Sequence, residues 1–442
     1  MHGSADPSVL IVAAKWWPAS ARLAVALRRH GCRISAICPA GHPLRHVTGL
    51  NKIFRYGGLS SLHDLRRAMH ESSPDVVVPC DDGAVAQLHA LYELDTTLKP
   101  VIERSLGSQE SYSIVESRHQ LLSLAAKASI DVPTTRRIAR AEDLVKWHDE
   151  FASGAVVKVD GESGGNGVRI SRSLSESVAA WKELRAPCGL ATAWKRLVID
   201  CDPLALWSRG HGTREVTVQE FVAGRPANSM VACWSGKVLA SISVVVVSAE
   251  GQTGAATVVR VVQNRLMEEV AEKLVSQLNL SGFYGFDFII ESGSSVPYLI
   301  EMNPRCTQIG HLELAGTSLA HAFSAALGAS SAPSVKAAIR SDTIALFPQA
   351  LAAGEACRPY VDSGYHDVPW DEPQLKSELM LISWPRRRGI ARIYHSFKPL
   401  NWAEPVVFED IHANAIGVAT DIDGRVAPTV AFRLASRFTG EG

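Results

Sequence analysis

The stretch GFYGFDFIIESGSSVPYLIEMNPR, residues 282–305, carries the clearest structural signal in the sequence. Two runs of aromatic and aliphatic residues flank the turn-forming segment ESGSSVP, which is the pattern of a β-hairpin. If the turn is centred on Ser294, residues at equal distances from it face each other across the two strands. Asp287 then lies opposite Glu301, and Asn303 lies on the same side of the sheet, because side chains alternate along a strand.

Two carboxylates in directly opposed positions repel each other unless a cation lies between them. Asp287, Glu301 and Asn303 offer oxygen ligands, and neither strand of the hairpin contains Cys or His. Such ligands suit Mg²⁺ or Mn²⁺, with water and substrate phosphates completing the coordination. The hairpin therefore predicts a metal site, and the alternative is a solvated polar face with one side chain turned away.

A glycine-rich segment, KVDGESGGNG at residues 158–167, forms a second candidate element. Its glycines permit positive φ angles, so that backbone N–H groups can approach an anion closely. Lys158 lies on the strand that enters the loop and would serve as a counter-charge for phosphate. The segment is not a P-loop, because no GK[ST] follows the glycines. We predict a flap over a polyphosphate, and the alternative is a hairpin turn that uses glycine only for its geometry.

Two arginines are candidates to complete this site. Arg305 follows Asn303 by two residues, beyond Pro304, and is expected to project from the loop into the same site. Arg260 lies in the run TVVRVVQN, between the glycine-rich segment and the hairpin. Guanidinium groups there would neutralise charge on a transferring phosphoryl group or bind a carboxylate in a bidentate manner. For Arg260 the alternative is an exposed side chain on an edge strand.

The N-terminal part of the sequence alternates predicted strands with predicted helices. Strand-like runs at 8–14, 33–38 and 75–79 are separated by helical segments, which predicts a doubly wound parallel sheet. No G-x-G-x-x-G follows the first run, so a dinucleotide site is not supported there. PCDDG, residues 79–83, lies at the carboxyl end of a strand, where open α/β sheets bind ligands. A substrate loop is one interpretation, and an ordinary turn that caps a helix is the other.

Composition limits the remaining functional classes. The 442 residues are 46% hydrophobic and 20% charged, which predicts a folded, soluble protein of several domains. Because 45 Lys and Arg balance 45 Asp and Glu, bulk charge predicts neither a nucleic-acid partner nor a membrane surface. The longest apolar run, residues 238–247, is about half the length that a bilayer requires. The eight cysteines contain no C-x-x-C pair and the N-terminus has no signal-peptide pattern, so we expect a cytoplasmic protein without a zinc site or disulfide framework.

Three motifs in chain order resemble the ATP-grasp superfamily: Lys158 with its glycine loop, VQEFVAG at 218–224, and GFDF…LIEMNPR at 285–305. The stretch IEMNPR resembles the corresponding segment of biotin carboxylase, and the overall plan is similar to that of D-alanine–D-alanine ligase. The resemblance covers about residues 116–325. It implies an α/β protein in which an ATP-grasp fold of two α+β subdomains follows a Rossmann-like parallel-sheet domain and precedes a C-terminal α+β appendage. The implied domains are residues 1–115, 116–222, 223–330 and 331–442.

The resemblance first implies a set of ATP-binding residues. Lys158 would contact the α and β phosphates. The adenine would lie against the linker between the two subdomains, which comprises Gln219, Glu220, Phe221 and Val222. The backbone of the glycine loop would close over the β and γ phosphates, and its residues are Ser163, Gly164, Gly165, Asn166 and Gly167.

The resemblance also implies metal-binding and catalytic residues. Asp287, Glu301 and Asn303 would hold two Mg²⁺ ions, with Glu301 bridging them and Mn²⁺ as the alternative metal. Arg305 would stabilise an acyl-phosphate as it forms, and Arg260 falls where such enzymes often have a basic residue near the γ-phosphate. The implied reaction is attack of a carboxylate on the γ-phosphate of ATP, followed by capture of the acyl-phosphate by an amine. The products would be an amide, ADP and phosphate, and the protein's share would be positioning and charge neutralisation.

Three features depart from the family pattern. The family commonly has a lysine early in the helix before the first subdomain, where this sequence has Ser117-Arg118-His119. Arg118 is therefore expected to be a looser phosphate contact. The ribose-binding acid that often follows the linker is replaced by Arg225-Pro226. Residues 186–214 are longer than a minimal connection requires, and they are interpreted as a lid or a partner surface, or simply as solvated chain.

Several interpretations stay open on sequence alone. The leading prediction is an ATP-dependent ligase that joins an amino acid or another small carboxylic acid to an amine, with only small molecules and a second copy of the chain as partners. Its rivals are an ATP-grasp kinase or phosphotransferase and a non-catalytic ATP-binding module that regulates a partner. The last hundred residues or so contain no motif, and they are expected to cap the active site, complete the core sheet or dimerise.

Overall fold

The computed structural model describes residues 6–151, 154–161, 165, 167–186, 189–207, 215–330, 339–397 and 404–408. Strands within these residues form four sheets, with four, eight, two and four strands. Within the same residues, no helix is long and apolar enough to cross a membrane.

The N-terminal part is built around a parallel sheet. Its elements are β1 (Ser8–Val12), α1 (Pro18–Arg29), β2 (Arg33–Cys38), β3 (Lys52–Arg55), α2 (Ser61–Ser72), β4 (Val76–Pro79), α3 (Asp82–Leu94) and α4 (Lys99–Leu106). The strand order is β3-β2-β1-β4, and every neighbouring pair is parallel. Val9 and Ile11 of β1 pack into one hydrophobic cluster while Leu10 and Val12 pack into another. Because both faces are covered, the predicted doubly wound parallel sheet is confirmed.

A second, antiparallel sheet follows. Its region comprises α5 (Tyr112–Glu116), α6 (Arg118–Lys127), β5 (Thr135–Arg137), α7 (Ala141–Glu150), β6 (Ala155–Val159), β7 (Val168–Ser171), α8 (Leu174–Arg185), α9 (Leu190–Val198) and β8 (Val216–Glu220). The strand order is β5-β8-β6-β7, and Trp147 of α7 is fully buried in the cluster beneath it. The predicted hairpin on either side of the glycine-rich segment is confirmed, with Lys158 paired to Val168.

The largest sheet carries the metal-site hairpin. This region comprises β9 (Gly224–Trp234), β10 (Lys237–Glu250), β11 (Ala256–Val262), α10 (Arg265–Gln277), β12 (Gly282–Glu291), β13 (Pro297–Asn303), β14 (Glu313–Leu314), β15 (Thr317–Ser318) and α11 (Leu319–Ala326). The order across the sheet begins β13-β12-β9-β10-β11. Helix α10 covers one face with Met267, Ala271 and Leu274, which recur at helical spacing and are buried.

The hairpin of β12 and β13 has the predicted register at Asp287 and a different register from Phe288 towards the turn. Asp287 pairs with Glu301, as expected, but a bulge follows and Phe288 pairs with Leu299. Leu299 and Met302 both pack into the cluster under the sheet although they are three residues apart. Since side chains alternate along a regular strand, only an extra residue allows both to face the core.

The C-terminal part extends the largest sheet. Its elements are β16 (Thr343–Ala345), α12 (Gln349–Ala352), α13 (Arg358–Ser363), β17 (Tyr365–His366), α14 (Pro373–Leu379), α15 (Trp384–Arg387), α16 (Gly389–Phe397) and β18 (Pro405–Val407). Strand β16 pairs with β11, β17 pairs with β16, and β18 pairs with β10. Of the three roles expected for these residues, completion of the core sheet is the one that the described strands perform.

Hydrophobic packing joins the regions to one another. One cluster contains Ile11 and Leu23 from the N-terminal part, Phe323 from α11 and Leu375 from α14. Within the segment 186–214, Leu204 is buried in the core of the N-terminal part. Residues 187–188 and 208–214 of that segment lie outside the described residues. The predicted domains therefore share cores, and the site described next lies where they meet.

Candidate active site

The carboxylate pair lies at the centre of three adjacent strands. Asp287 of β12 pairs with Glu301 on β13 and with Asn228 on β9. The Nδ2 of Asn228 donates to Oδ1 of Asp287 at 2.6 Å, and the Nδ2 of Asn303 donates to Oδ2 at 2.7 Å. Burial, together with the neighbouring Glu301 carboxylate, raises the pKa of Asp287. The structure thus brings together the three residues predicted as metal ligands.

The donor atoms fit a hard divalent cation. The candidate ligands are the two carboxylates of Asp287 and Glu301, which pair across the hairpin, and the amide side chains beside them. Among the described residues, no group of three or more His, Cys, Asp and Glu side chains is placed to hold a metal ion. The amide of Asn228 has a fixed orientation, because a carboxylate accepts from its nitrogen. Its Oδ1 is buried and has no hydrogen-bond partner within the described part of the chain. An unpartnered oxygen beside two carboxylates suits the oxygen coordination that Mg²⁺ prefers.

Arg305 projects into the same site, as predicted. Its Nε donates to Oδ1 of Asp82 at 2.9 Å, and its Nη2 donates to Oδ1 of Asn303 at 3.0 Å. Burial lowers the pKa of Arg305, but the carboxylates of Asp82, Asp81 and Asp287 together outweigh that effect, so the pKa is raised. Asp82 is the first residue of α3, and Asp81 caps this helix by accepting from the Ala84 amide at 2.9 Å. The loop 79–83 therefore caps a helix and also contacts the candidate catalytic arginine.

Arg118 connects the two subdomain sheets. Its Nη1 donates to Oδ1 of Asp160, which follows β6, at 2.6 Å, and its Nη2 donates to Oε1 of Glu301 on β13 at 2.7 Å. Only 5% of its side chain is exposed. Burial lowers the pKa of Arg118, and the carboxylates of Glu301 and Asp160 raise it by more. Arg118 is thus held between carboxylates at the edge of the metal-site residues.

Lys158 of β6 points into the cleft between the same two sheets. It is buried, and its Nζ donates to Oε1 of Gln219 on β8 at 2.6 Å. Burial, followed by the charge of Arg118, lowers its pKa to about 8, although Glu301, Asp287 and Asp160 act in the opposite direction. A cationic group with this environment is poised to meet an anion, since a phosphate would restore its lost solvation.

Comparison with known proteins identifies this two-sheet arrangement. Residues 205–308 match the family model of the ATP-grasp domain. The chain has the ATP-grasp fold. Similar solved structures include the biotin carboxylase domain of 2-oxoglutarate carboxylase from Hydrogenobacter thermophilus, with 13% identity, a TM-score of 0.53, and coverage of 74% of this chain and 70% of the other.

Two further structures share the fold. N5-carboxyaminoimidazole synthetase from Staphylococcus aureus has 14% identity and a TM-score of 0.51, covering 74% of this chain and 78% of its own. The corresponding synthase from Aspergillus clavatus has 15% identity and a TM-score of 0.54, covering 76% and 80%. No curated protein matches the sequence. At these identities the likeness concerns the ATP-grasp fold, and the activity has to be argued from the site.

Gly165 of the glycine-rich segment lies against the opposite sheet. Gly165 has a φ of 78°, and a Cβ there would lie 2.3 Å from the carbonyl oxygen of Thr253, so no larger residue fits without movement. Thr253 lies in the turn between β10 and β11, on the opposite sheet. Gly167 closes the hairpin by accepting from the Val159 amide at 3.0 Å. Three further loop residues with predicted roles lie outside the described residues: Ser163, Gly164 and Asn166.

The predicted adenine linker connects the two sheets. Gln219 and Glu220 end β8, and Phe221 and Val222 precede β9. Gln219 is buried and its side chain accepts from Lys158, while the Phe221 ring is 37% exposed. Of these side chains, the Phe221 ring is exposed and the Gln219 amide is engaged with Lys158.

Among the described residues with predicted catalytic or metal-binding roles, Arg260 is the one whose strand register places it on the other face of the sheet. It lies on β11, in register with Val245 of β10, which in turn pairs with Ala227 of β9. Ala227 pairs with Phe288, the neighbour of Asp287 along β12. Side chains in one such row share a face of the sheet, so Arg260 is placed on the face of Phe288 rather than on that of Asp287. Its guanidinium donates to the Thr343 hydroxyl at 3.5 Å.

Two residues of the site escaped sequence analysis. Asp160 stands directly after the strand AVVKV, within the glycine-rich segment that was already singled out. Asn228 stands in GRPANS, directly after the linker. A carboxylate directly after one strand and an amide within another were the features that could have indicated them. Their partners, however, lie far away in the chain: Arg118 is 42 residues from Asp160, and Asp287 is 59 residues from Asn228.

Proposed function

We propose that the protein is an ATP-dependent ligase that joins a carboxylate to an amine through an acyl-phosphate and releases ADP and phosphate. One observation carries this proposal. Charged side chains from both ATP-grasp sheets and from the N-terminal part meet in one cleft, where Arg118 bridges Asp160 and Glu301, and Arg305 contacts Asp82 and Asn303. A module that only bound nucleotide would not require Arg305 beside the metal-site residue Asn303 with Asp82 as its counter-charge.

ATP would lie between the two sheets. Lys158 would contact the α and β phosphates, and the glycine loop would close over the β and γ phosphates. In support of a nucleotide ligand, the similar domain from Hydrogenobacter thermophilus was solved with MgADP, and the Staphylococcus aureus synthetase with ADP. Arg118 would reach the phosphates as the counter-charge that replaces the family's lysine. The role predicted for Arg260 gains no support from its register and stays a prediction.

Asp287, Glu301 and Asn303 would hold Mg²⁺, with Mn²⁺ as the alternative. When bound, the metal neutralises charge on the phosphate oxygens. Side chains of the protein would bind and orient the substrate carboxylate. Arg305 would bind the oxygens of the substrate carboxylate and orient one of them towards the γ-phosphorus, since a guanidinium matches a carboxylate in geometry and charge. The alternating charges at the site would limit the cost of bringing a further anion there.

The proposed reaction has two steps, phosphoryl transfer to the carboxylate and acyl transfer to the amine. A carboxylate oxygen forms a bond to the γ-phosphorus as the bond to the β,γ-bridging oxygen of ATP breaks, which gives an acyl-phosphate and ADP. The amine nitrogen next bonds to the acyl carbon, phosphate leaves with the original carboxylate oxygen, and the nitrogen loses a proton. Arg305 would neutralise the acyl-phosphate between the two steps.

Product identification tests the proposal. The full-length protein is incubated with ATP, Mg²⁺, pooled amino acids and pooled small carboxylic acids, and ADP and new masses are measured. We expect ADP release that requires an acid and an amine, with a product equal to acid plus amine minus water. A product heavier by one phosphate and formed without an amine would instead establish the kinase. ATP binding with no turnover in any pool would favour the regulatory module.

A further inference from the structure

A small recess lies at the seam between helix α1, the loop that follows Arg305, and the C-terminal part of the chain. Gln308 of the loop and Gln349 of α12 line it, and Pro18, Leu346 and Phe347 form its apolar wall. Its free space is about that of one water molecule or one amino group. The recess belongs to none of the ATP, metal or carboxylate contacts described above.

Both glutamines present an unsatisfied atom. The Oε1 atoms of Gln308 and Gln349 are buried and have no hydrogen-bond partner in the described part of the chain. Gln349 is only 8% exposed. The orientation of Gln308 is fixed, because its Nε2 donates to the carbonyl oxygen of Ala256 at 3.2 Å and a carbonyl can only accept. The recess therefore contains two unpaired hydrogen-bond acceptors. A ligand with an N–H or O–H donor would stabilise them, since a buried acceptor left unpaired is costly.

The charged residues at the recess are already engaged with one another. Arg22 of α1 donates to Oδ1 of Asp367 at 2.6 Å and to its carbonyl oxygen at 2.7 Å. His311 lies 2.6 Å from Oδ2 of the same carboxylate. With both carboxylate oxygens in use, the two amide oxygens are the acceptors that a ligand would meet. Because amide oxygens can only accept hydrogen bonds, they suit a ligand with an N–H donor better than an anionic ligand.

The recess is close to the proposed reaction centre. Gln308 is three residues from Arg305, which limits the separation of their Cα atoms to about 11 Å. One of the two residues between them, Thr307, donates its amide to the Met230 sulfur at 3.4 Å. Met230 lies two residues along β9 from Asn228, so it shares that side chain's face of the sheet.

We propose that this recess is a subsite for the amine substrate, in which Oε1 of Gln308 and Oε1 of Gln349 accept hydrogen bonds from one of its N–H groups. The inference rests on the proposed ligase function, and it assigns two selectivity residues to it. One of them, Gln349, comes from the C-terminal part, which would thereby contribute to substrate choice as well as to the sheet.

Glycinamide is a suitable probe, because it has N–H donors while its blocked carboxyl group prevents it from acting as the acid. Its binding to the full-length protein is measured by calorimetry without ATP turnover and located by crystallography. We expect a glycinamide nitrogen within hydrogen-bond distance of both Oε1 atoms. A lone water at the two atoms, or glycinamide bound only elsewhere, would overturn the proposal.

Substitution of Gln349 gives the cleaner variant, because its side chain makes no hydrogen bond in the described structure. Gln349→Met should weaken glycinamide binding roughly tenfold, the effect of losing one useful hydrogen bond. Gln308→Met should do the same, with its thermal stability checked because the contact with Ala256 is also lost. The control is Gln277→Met, at the exposed end of α10, which should leave binding unchanged.

Kinetics separates this inference from the ligase proposal. If ligation is observed, Gln349→Met should raise KM for the amine roughly tenfold while KM for ATP stays within twofold. An unchanged KM for the amine would refute the subsite and leave the ligase standing. Specific glycinamide binding that is lost in Gln349→Met, in a protein that ligates nothing, would establish the recess as an amine-binding site and contradict its role in a ligase.

Discussion

The lowered pKa of the buried Lys158 side chain links its protonation to the binding of an anion. Burial and the nearby Arg118 charge disfavour its protonated form, and the carboxylates of Asp160, Asp287 and Glu301 only partly compensate. With a pKa of about 8 the amine is still mostly charged at neutral pH, and the charge is lost as the pH rises. A bound triphosphate would stabilise the protonated form, so ATP binding and protonation of Lys158 should be linked.

We therefore predict that ATP affinity falls about tenfold between pH 7 and pH 9, with the decline beginning near the pKa of Lys158. Affinity falls with rising pH because the pKa of Lys158 is lowered: above pH 8 most of the free protein has a neutral Lys158, which must take up a proton before it binds phosphate. Calorimetric titration with ATP and Mg²⁺ measures the effect. In the Lys158→Met variant binding should be weaker and flat over this range. An equal decline in the variant would assign the titration to another group.

The residues of the site were predicted unequally well from the sequence. Asp287, Glu301 and Asn303 were recognised together because a short hairpin fixes which residues face each other, and strand alternation is a local property. The contact of Asp82 with Arg305 spans 223 residues of sequence and depends on how the N-terminal sheet packs against the rest. No local pattern encodes such a contact, which is why the loop 79–83 had two interpretations.

At the scale of elements, the turn from β4 into α3 delivers a carboxylate to the proposed catalytic arginine. Asp81 fixes this turn by accepting from the Ala14 amide at 2.6 Å and by capping α3. Asp82 then meets the Nε of Arg305. The N-terminal sheet thus positions a residue of the neighbouring ATP-grasp subdomain.

Removing the charge of Asp82 tests this link. Asp82→Asn keeps the shape of the side chain but leaves the buried Arg305 without its closest counter-charge, so we expect kcat to fall roughly tenfold or more. The Kd for ATP should stay within twofold, because Lys158 and the linker are unaffected. Asp75→Asn, at the residue directly before β4 and at the other end of that strand from the turn into α3, should leave kcat unchanged. Equal kcat in Asp82→Asn and the parent protein would refute a positioning role.

The elements themselves were largely predictable, and the exceptions have physical causes. The parallel strands, the glycine-loop hairpin and α10 follow from periodicities of two and of about 3.6. The bulge between β12 and β13 was missed because it follows from Leu299 and Met302 sharing one core. The face on which Arg260 lies depends on the register of strands across the sheet, which the run TVVRVVQN alone does not encode.

At the scale of the whole molecule, one core ties the N-terminal sheet, the second ATP-grasp subdomain and the C-terminal part together. Phe323 lies within it, with its ring centroid 4.7 Å from that of Phe283 and 5.8 Å from that of Trp234. The domain boundaries expected from sequence motifs mark changes of sheet, but the shared core predicts that these regions unfold together.

Phe323→Ala should lower the free energy of unfolding by about 3–5 kcal/mol, because a fully buried aromatic ring is replaced by a cavity. Urea unfolding followed by circular dichroism and by tryptophan fluorescence should show one common transition shifted to lower denaturant. Leu266→Ala, at a side chain that is 51% exposed, should change stability by less than about 0.5 kcal/mol. Separate transitions for the two probes would contradict a shared core.

In the proposed mechanism, ATP activates a carboxylate as an acyl-phosphate in the cleft between the two sheets. Transfer of oxygen tests it most directly. The protein is given ATP, Mg²⁺, an amine pool and carboxylic acids labelled with ¹⁸O in the carboxyl group, and the phosphate released is analysed by mass spectrometry. We predict ADP together with phosphate that carries one ¹⁸O atom, formed only when acid and amine are both present. Unlabelled phosphate, or AMP with pyrophosphate, would contradict the mechanism.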